Sequence, residues 1–189
     1  MRLAPIDKPR GILLRLAYAM SRRRFGKVLA PLRVLYARSP RLARLGYSIA
    51  RVLEGGLALP HELTLLITTQ TSLLNGCTFC ADLHRAQAVQ ERLGLERFRA
   101  LPEFETSPLF DPRERAMLAF VTELSRERKV SDATFARLRA HASDTEIAEL
   151  TWLTAIGNYF NLMSAALELE SDGLMELALR EDRAHPKAA

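Results

Sequence analysis

The chain contains two cysteines, Cys77 and Cys80, and His84 follows Cys80 by four residues. On an α-helix these three side chains share one ridge, with Cys80 one turn from His84 and Cys77 two turns from it. A one-turn separation lets the imidazole accept the Cys80 thiol proton directly or through one water, as a general base does. The C-x-x-C spacing lets the two sulfurs form a disulfide after one is oxidised to a sulfenic acid. The spacing favours a redox site with a nucleophile, a resolving thiol and a base.

The position of these cysteines on their helix affects their reactivity. We predict a helix from about Cys77 to Leu93 with Asn75 as its cap, which places both cysteines in the first turn and a half. The free backbone N–H groups at a helix N-terminus favour an anion and make thiolate available near neutral pH. Both sulfurs are therefore candidates for activation.

Three simpler interpretations of the motif remain open from spacing alone. The cysteines could be small buried hydrophobic residues, because a lone C-x-x-C pair also occurs by chance. They could bind zinc together with His84, but a structural zinc site needs four ligands, and His61, His141 and His185 provide no second ligand pair. His84 could also be a hydrogen-bonded packing residue.

Signals for helix ends run along the rest of the chain. Residues typical of helix N-termini occur at Ser39–Pro40, Asp111–Pro112, Ser131 and Ser143 with Glu146. No run of Val, Ile and Thr alternates with polar residues over the length of a strand. The sequence therefore predicts an all-α fold.

Composition and hydropathy indicate an ordinary globular protein. Of the 189 residues, 48% are apolar and 26% are charged, which argues against both disorder and a membrane-integral class. No segment contains the roughly 20 predominantly apolar residues of a membrane span, and no small-residue cleavage site follows the basic N-terminus. We therefore expect no membrane span and a cytoplasmic location, where a C-x-x-C pair is more often redox-active or metal-binding than structural.

Charge is distributed unevenly along the chain. Residues 1–60 contain 13 Lys and Arg residues but two acidic ones, a net charge of +11, so that the remainder carries −6 of the total of +5. Apolar residues recur at helical spacing in this basic part, which favours docking onto an acidic body over binding of nucleic acid. We predict a basic helical arm over residues 1–55, a helical domain over 56–180 and a polar tail over 181–189.

One segment resembles the signature of a known family. Residues 59–89, LPHELTLLITTQTSLLNGCTFCADLHRAQAV, resemble the AhpD-like alkylhydroperoxidase and carboxymuconolactone decarboxylase superfamily, where a helix ending in L-N-G-C leads into C-x-x-C-x-x-x-H. Residues 107–163 resemble its peroxidase-related members, so that the resemblance covers about residues 57–168. It implies an AhpD-like helical bundle, here with an added N-terminal arm, that assembles into homo-oligomers, either trimers or hexamers.

The resemblance also implies an activity. It implies a thiol-dependent peroxidase that reduces hydrogen peroxide or organic hydroperoxides. Cys80 would attack the hydroperoxide, Cys77 would resolve the sulfenic acid, and His84 would act as base or proton relay. An external dithiol reductant would reduce the disulfide, and neither a metal nor a bound organic cofactor is needed.

The chain differs from the family's best-studied type at one relay position. That type has a glutamate twelve residues before the first cysteine, and here the position is Leu65. Glu62, one turn earlier, and Thr69, one turn later, are candidates to replace it. Asn158 and Asn161, on the long helix where the family often places polar residues near the pocket, are candidates to line the substrate site.

Two other classes of function remain compatible with these residues. The protein could be a redox-sensing or binding module in which the dithiol switches assembly without turnover. It could also be a cofactor-free, decarboxylase-like lyase with His84 as base. Sustained peroxide consumption with a dithiol would favour the peroxidase, whereas a lyase should survive Cys77→Ser.

Overall fold

The computed structural model describes residues 1–184, and over this range the chain is helical without strands. The helices are α1 (Ile12–Phe25), α2 (Pro40–Leu53), α3 (His61–Leu74), α4 (Thr78–Gln90), α5 (Glu96–Arg99), α6 (Pro112–Glu127), α7 (Asp132–Arg139), α8 (Asp144–Ala166) and α9 (Leu174–Ala184). A π-helical turn covers Leu32–Tyr36 and a 3₁₀ turn covers Leu101–Glu103. The predicted all-α fold is confirmed. No helix among residues 1–184 combines the length and apolar character that a membrane span requires.

Side-chain caps begin the helices where the sequence predicts them. The caps of α2, α6, α7 and α8 are Ser39, Asp111, Ser131 and Ser143. Each side-chain oxygen accepts a hydrogen bond from a backbone N–H that the helix itself leaves without a partner. In α6 and α8 the third helical residue is a glutamate that bonds back to the cap, which completes a capping box.

Helix α3 is the centre of the fold. All its residues from Leu63 to Ser72 are buried, and its apolar side chains join those of α6, α7 and α8 in one cluster. Its buried hydroxyls donate to backbone carbonyls of the preceding turn, at Thr64, Thr68, Thr69, Thr71 and Ser72. These bonds satisfy polar groups that would otherwise be costly to bury.

Helix α8 approaches α3 closely at a glycine. A Cβ atom on Gly157 would lie 3.1 Å from Cγ2 of Thr71. The missing side chain therefore lets the two helices pack within a distance that alanine would strain. This contact fixes the polar residues of α8 beside the C-terminal end of α3.

The basic arm packs against its own chain. The carboxylate of Asp172, between α8 and α9, accepts a hydrogen bond of 2.7 Å from the Ala30 backbone N–H and lies 3.5 Å from the Lys27 ammonium. The backbone N–H of Arg2 donates to the Leu167 carbonyl at 3.0 Å. Backbone and charge contacts thus hold the arm over the end of α8.

The C-terminal helix begins on a side chain of α4. Oδ2 of Asp82 accepts from the Leu174 N–H at 2.8 Å, and Oδ1 accepts from the Met175 N–H at 2.9 Å. This cap orients α9 so that its apolar face covers α4. Because α9 continues to Ala184, residues 181–184 of the predicted tail are helical. Residues 185–189, including His185, lie outside the described part.

Candidate active site

The two cysteines lie where α3 ends and α4 begins. Asn75 and Gly76 form the turn, and Gly76 has a left-handed φ of 65°, which glycine adopts without steric cost. The N–H of Cys77 donates to the Ser72 carbonyl at 2.9 Å, so the turn also closes α3. Cys77 is itself the cap of α4, and its Sγ accepts from the N–H of Cys80 at 3.3 Å.

The prediction that Asn75 caps the cysteine helix is therefore wrong. Asn75 is the residue that ends α3, because the turn's backbone N–H groups bond to α3 carbonyls. Only Cys80 lies inside the first turn of α4, whereas Cys77 lies just before it. The helix N-terminus favours a thiolate at both positions, since Sγ of Cys77 accepts the N–H of Cys80 and Cys80 itself lies in the first turn.

Cys77 and Cys80 are joined by a disulfide. Their Cα atoms are 5.4 Å apart, and the two residues are 6% and 5% exposed. The described structure is thus the oxidised state of the dithiol. Among residues 1–184, no three His, Cys, Asp or Glu side chains are grouped so that they could hold a metal ion.

His84 lines the same cavity as Cys80, one turn along α4. Its Nδ1 atom is buried and has no hydrogen-bond partner. Burial lowers the pKa of His84 from 6.5 to about 4, because it disfavours the charged imidazolium, while a hydrogen bond to the Thr68 backbone opposes the shift. The imidazole is therefore neutral near pH 7 in the disulfide form.

Ser164 of α8 is a site residue that the sequence analysis missed. Its Oγ lies 3.7 Å from Sγ of Cys80, and the residue is buried. A hydroxyl at this position can donate to a thiolate. Ser164 lies three residues after Asn161 on one face of α8, so helical spacing from the predicted Asn161 was the available signal.

The three relay positions of α3 are placed differently from one another. Leu65, at the position of the family glutamate, does line the cavity with His84. The carboxylate of Glu62 is instead bound by Arg97, which also binds Glu114. The hydroxyl of Thr69 donates to the Leu65 carbonyl at 2.7 Å. The structure therefore brings neither Glu62 nor Thr69 to the cysteines, and Thr68 is the threonine beside His84.

The two predicted asparagines hold the turn before the cysteines. Nδ2 of Asn75 donates to Oδ1 of Asn158 and to Oδ1 of Asn161, both at 3.0 Å. Nδ2 of Asn161 in turn bonds to Oγ of Ser72 at 3.4 Å. Asn161 also lines the cavity. Both residues thus position the turn, and Asn161 alone of the two reaches the cavity.

Cavities adjoin the disulfide on two sides. Cys80 faces a mostly apolar cavity of about 950 Å³ between the arm and the helical bundle. Cys77 faces a separate pocket of about 300 Å³, whose lining includes Asp82 and Arg85. The two cysteines, although buried, therefore line different cavities.

Fold and site together define an all-helical protein with a C-x-x-C disulfide at a helix start and a neutral histidine one turn later. The sequence model of the carboxymuconolactone decarboxylase family matches residues 42–123, which contain α3 and the C-x-x-C motif. This match supports the resemblance to the AhpD-like and carboxymuconolactone decarboxylase superfamily over the segment that contains the motif.

Comparison with known proteins extends the similarity along the chain. The uncharacterized protein YnjA of Escherichia coli (strain K12) is 27% identical over 179 residues, 94% of this chain and 97% of YnjA. A protein of unknown function from Agrobacterium tumefaciens, suggested to be the antioxidant defence protein AhpD, is 27% identical with a TM-score of 0.67, over 74% of this chain and 97% of that one. The apo debrominase Bmp8 is 22% identical with a TM-score of 0.78, over 95% and 96%. Because YnjA aligns with 94% of the chain, most of the arm is shared with relatives.

Proposed function

We propose that this protein is a thiol-dependent peroxidase that reduces hydrogen peroxide or organic hydroperoxides with Cys80, Cys77 and His84. The observation that supports this function is the arrangement of three side chains at the start of α4. Cys80 is bonded to Cys77, lies in the first turn of α4 and shares a cavity with a neutral imidazole. The antioxidant role suggested for the Agrobacterium protein is consistent with this activity.

The proposed cycle begins with the reduced dithiol. The Cys80 thiolate attacks the hydroperoxide, so that an S–O bond forms, the O–O bond breaks and the leaving oxygen takes a proton to become an alcohol or water. The Cys77 thiol then attacks the Cys80 sulfenic acid, which forms the disulfide and releases water. An external dithiol reduces the disulfide through two thiol–disulfide exchanges and is itself oxidised.

His84 acts as the proton carrier of this cycle. A neutral imidazole can take the proton of the Cys80 thiol and return it to the leaving oxygen, a contribution typically worth about 10²–10⁴-fold in rate. The hydroxyl of Ser164, 3.7 Å from Sγ of Cys80, can donate to the thiolate. In this proposal the imidazole of His84 and the hydroxyl of Ser164 take the role of the relay glutamate, whose position is occupied here by Leu65.

The reductant attacks Cys77 in this proposal. Cys80 is the better leaving group in this proposal, because the Ser164 hydroxyl can donate to its thiolate and the His84 imidazole lines the same cavity. Cys77 also faces the smaller pocket, away from the cavity of the hydroperoxide. Substrate and reductant therefore use different faces of the disulfide.

Peroxide consumption with a dithiol reductant tests this function. We expect the protein to consume many equivalents of tert-butyl hydroperoxide, Cys80→Ser to consume none, and Cys77→Ser to stop after one equivalent with a sulfenic acid that dimedone traps at Cys80. Thr78→Ser, at the exposed residue between the cysteines, is the matched control and should retain turnover. Sustained peroxide consumption in Cys77→Ser would contradict the resolving role of Cys77.

A redox-sensing module is the second candidate, because the disulfide alone is equally compatible with a switch. It predicts one stoichiometric oxidation that changes the size of the assembly and no further consumption of peroxide. The same assay, followed by size-exclusion chromatography, separates the two functions.

The proposal includes a homo-oligomer, either a trimer or a hexamer, in the cytoplasm. Large apolar residues outside the cavity are exposed in the single chain, among them Ile12 (85%), Leu45 (50%) and Leu162 (62%). Burial of such side chains between copies would remove apolar surface from water. A cytoplasmic location would supply the reduced thiols that the cycle consumes.

A further inference from the structure

The cavity in front of Cys80 is much larger than hydrogen peroxide requires. Its volume of about 950 Å³ lies at the upper end of the range of about 300–1,000 Å³ that is usual for organic ligands. Its floor near the disulfide includes Phe79, Leu83 and His84. A chamber of this size and composition fits the apolar body of an organic molecule.

The arm forms the outer wall of this chamber. Its apolar lining comes from one face of α1, from the π turn and from α2, at Leu13, Leu16, Ala17, Met20, Leu35 and Tyr47. The core domain supplies the sulfur and the imidazole, whereas the arm supplies the surface that an organic substrate would contact. The arm therefore determines which substrates can reach Cys80.

Positive charge lies at the open side of the chamber. Arg23, Arg24 and Arg44 are exposed and belong to its lining. Arg24 is paired with Glu54, which also lines the chamber. The guanidinium groups of Arg23 and Arg44 have no acidic partner among residues 1–184. His61, the other histidine of the lining, is paired with Glu91 at 2.9 Å.

We propose that the substrate is an amphipathic organic hydroperoxide with an apolar chain and a carboxylate, the chemical class of fatty-acid hydroperoxides. This inference rests on the proposed peroxidase function. The apolar chain occupies the chamber against the arm, the carboxylate lies at Arg23 and Arg44, and the O–O bond is at Cys80. The reaction reduces the hydroperoxide to the corresponding hydroxy acid and water, while the dithiol of Cys77 and Cys80 is oxidised to the disulfide.

Binding of a redox-inert analogue tests the chamber independently of activity. We expect dodecanoate to bind to the disulfide form in calorimetry more tightly than dodecyltrimethylammonium, which has the same chain and the opposite charge. Arg23→Gln with Arg44→Gln should weaken dodecanoate binding about three- to tenfold. Arg22→Gln with Arg41→Gln removes equal charge from the same two helices outside the chamber and should leave binding unchanged. Equal effects of the two pairs would overturn the inference.

Filling the chamber distinguishes a ligand from a second copy of the chain as its occupant. Ala17 of α1 lines the chamber, and Ala19 of the same helix is exposed outside it. We expect Ala17→Phe to reduce dodecanoate binding without changing the mass of the assembly, and Ala19→Phe to change neither. If Ala17→Phe alters the assembly and leaves dodecanoate binding intact, the chamber is an interface between copies and the inference is wrong.

Kinetics separate failure of this inference from failure of the proposed function. We expect kcat/KM to be higher for linoleate hydroperoxide than for its neutral methyl ester, and the pair Arg23→Gln and Arg44→Gln to remove the difference. Turnover of both at equal efficiency would overturn the carboxylate assignment and leave the peroxidase intact. If the protein reduced neither of these hydroperoxides nor hydrogen peroxide, the peroxidase function would be refuted. The dodecanoate titration would still show whether the chamber binds an amphipathic anion.

Discussion

At the scale of single residues, the unpaired Nδ1 of His84 is the clearest sign of chemistry in the site. Most buried polar atoms in proteins have a hydrogen-bond partner, and leaving one without a partner costs about 1–3 kcal/mol. In the disulfide state Cys80 has no proton to donate. Reduction creates a thiol on the same helix, one turn away, and so provides a donor for the imidazole. We therefore predict that the Cys80 thiol bonds to Nδ1 in the reduced protein, in addition to the hydrogen bond between His84 and the Thr68 backbone.

We predict that His84 controls the reactivity of Cys80. In reduced protein, His84→Ala should shift the pH profile for alkylation of Cys80 by iodoacetamide to higher pH, because the thiol loses its proton acceptor. Mass spectrometry of peptides from each pH point would measure the rate at Cys80 separately from that at Cys77. His141→Ala, at an exposed histidine, is the control and should not move the profile. Identical profiles for all three proteins would remove His84 as the base.

Burial of His84 should also make folding stability depend on pH. Because the folded pKa of about 4 lies below the ordinary 6.5, the unfolded chain binds a proton that the folded chain does not bind between these values. The contribution is therefore fully present above pH 6.5 and is lost as the pH falls towards 4, by an amount on the order of 3 kcal/mol.

Urea unfolding at pH 7 and pH 4.5 measures this dependence. The loss of stability between the two pH values should be smaller in His84→Gln than in the unmodified protein. His141→Gln should retain the full loss, since its side chain is exposed. If His84→Gln lost as much stability between the two pH values as the unmodified protein, the folded protein would not hold His84 as a buried, neutral imidazole.

At the scale of elements, α4 is held by two polar attachments of different kinds. Asn158 and Asn161 of α8 bind the turn before its N-terminus through Asn75. Asp82, on the side of α4, caps α9 and so brings an apolar helix over the cysteines. The positions of both sulfurs therefore depend on contacts with helices that lie more than 80 residues further along the chain.

This arrangement explains which elements the sequence could predict. The cap at Asp111 was predictable from the proline that follows it, and the cap at Ser143 from the glutamate three residues later. The cap of α4 was predicted two residues too early, at Asn75 instead of Cys77, because an Asn-Gly pair is equally suited to end α3. The contacts of Ser164 with Cys80 and of Arg97 with Glu62 join distant segments, and no local spacing reports them.

The attachment of α9 to α4 is open to test at Asp82. Asp82→Ala removes the acceptor of two backbone N–H groups of α9, so we expect the free energy of unfolding to fall by about 1–2 kcal/mol. In the reduced protein, alkylation of Cys77 should also become faster, because Leu174 and Ala178 of α9 pack in the cluster that buries it. Asp132→Ala, at the exposed start of α7, is the control. Unchanged stability in Asp82→Ala would show that apolar packing alone holds α9.

At the scale of the whole molecule, the arm and the bundle contribute different residues to the site. The bundle contributes the dithiol, the imidazole and the Ser164 hydroxyl, all on helices that pack around α3. The arm folds back over the end of α8 through Lys27 and Asp172 and lines one side of the chamber, which stays open to solvent. The uneven charge of the sequence thus corresponds to a structural division, with basic residues at the entrance and the acidic body beneath.

Reduction of the disulfide should leave the overall fold unchanged. The disulfide joins residues three positions apart, and loop-closure entropy for so short a loop is worth about 2 kcal/mol. The S–S bond itself links no distant segments. We therefore expect reduction to lower the free energy of unfolding by no more than about that amount, and to leave the helical content and the mass of the assembly unchanged. Circular dichroism, urea unfolding and light scattering on the same sample, before and after reduction, measure the three quantities. An enzyme that cycles between two redox states requires this insensitivity, whereas a change of assembly on reduction would favour the redox-sensing module over the peroxidase.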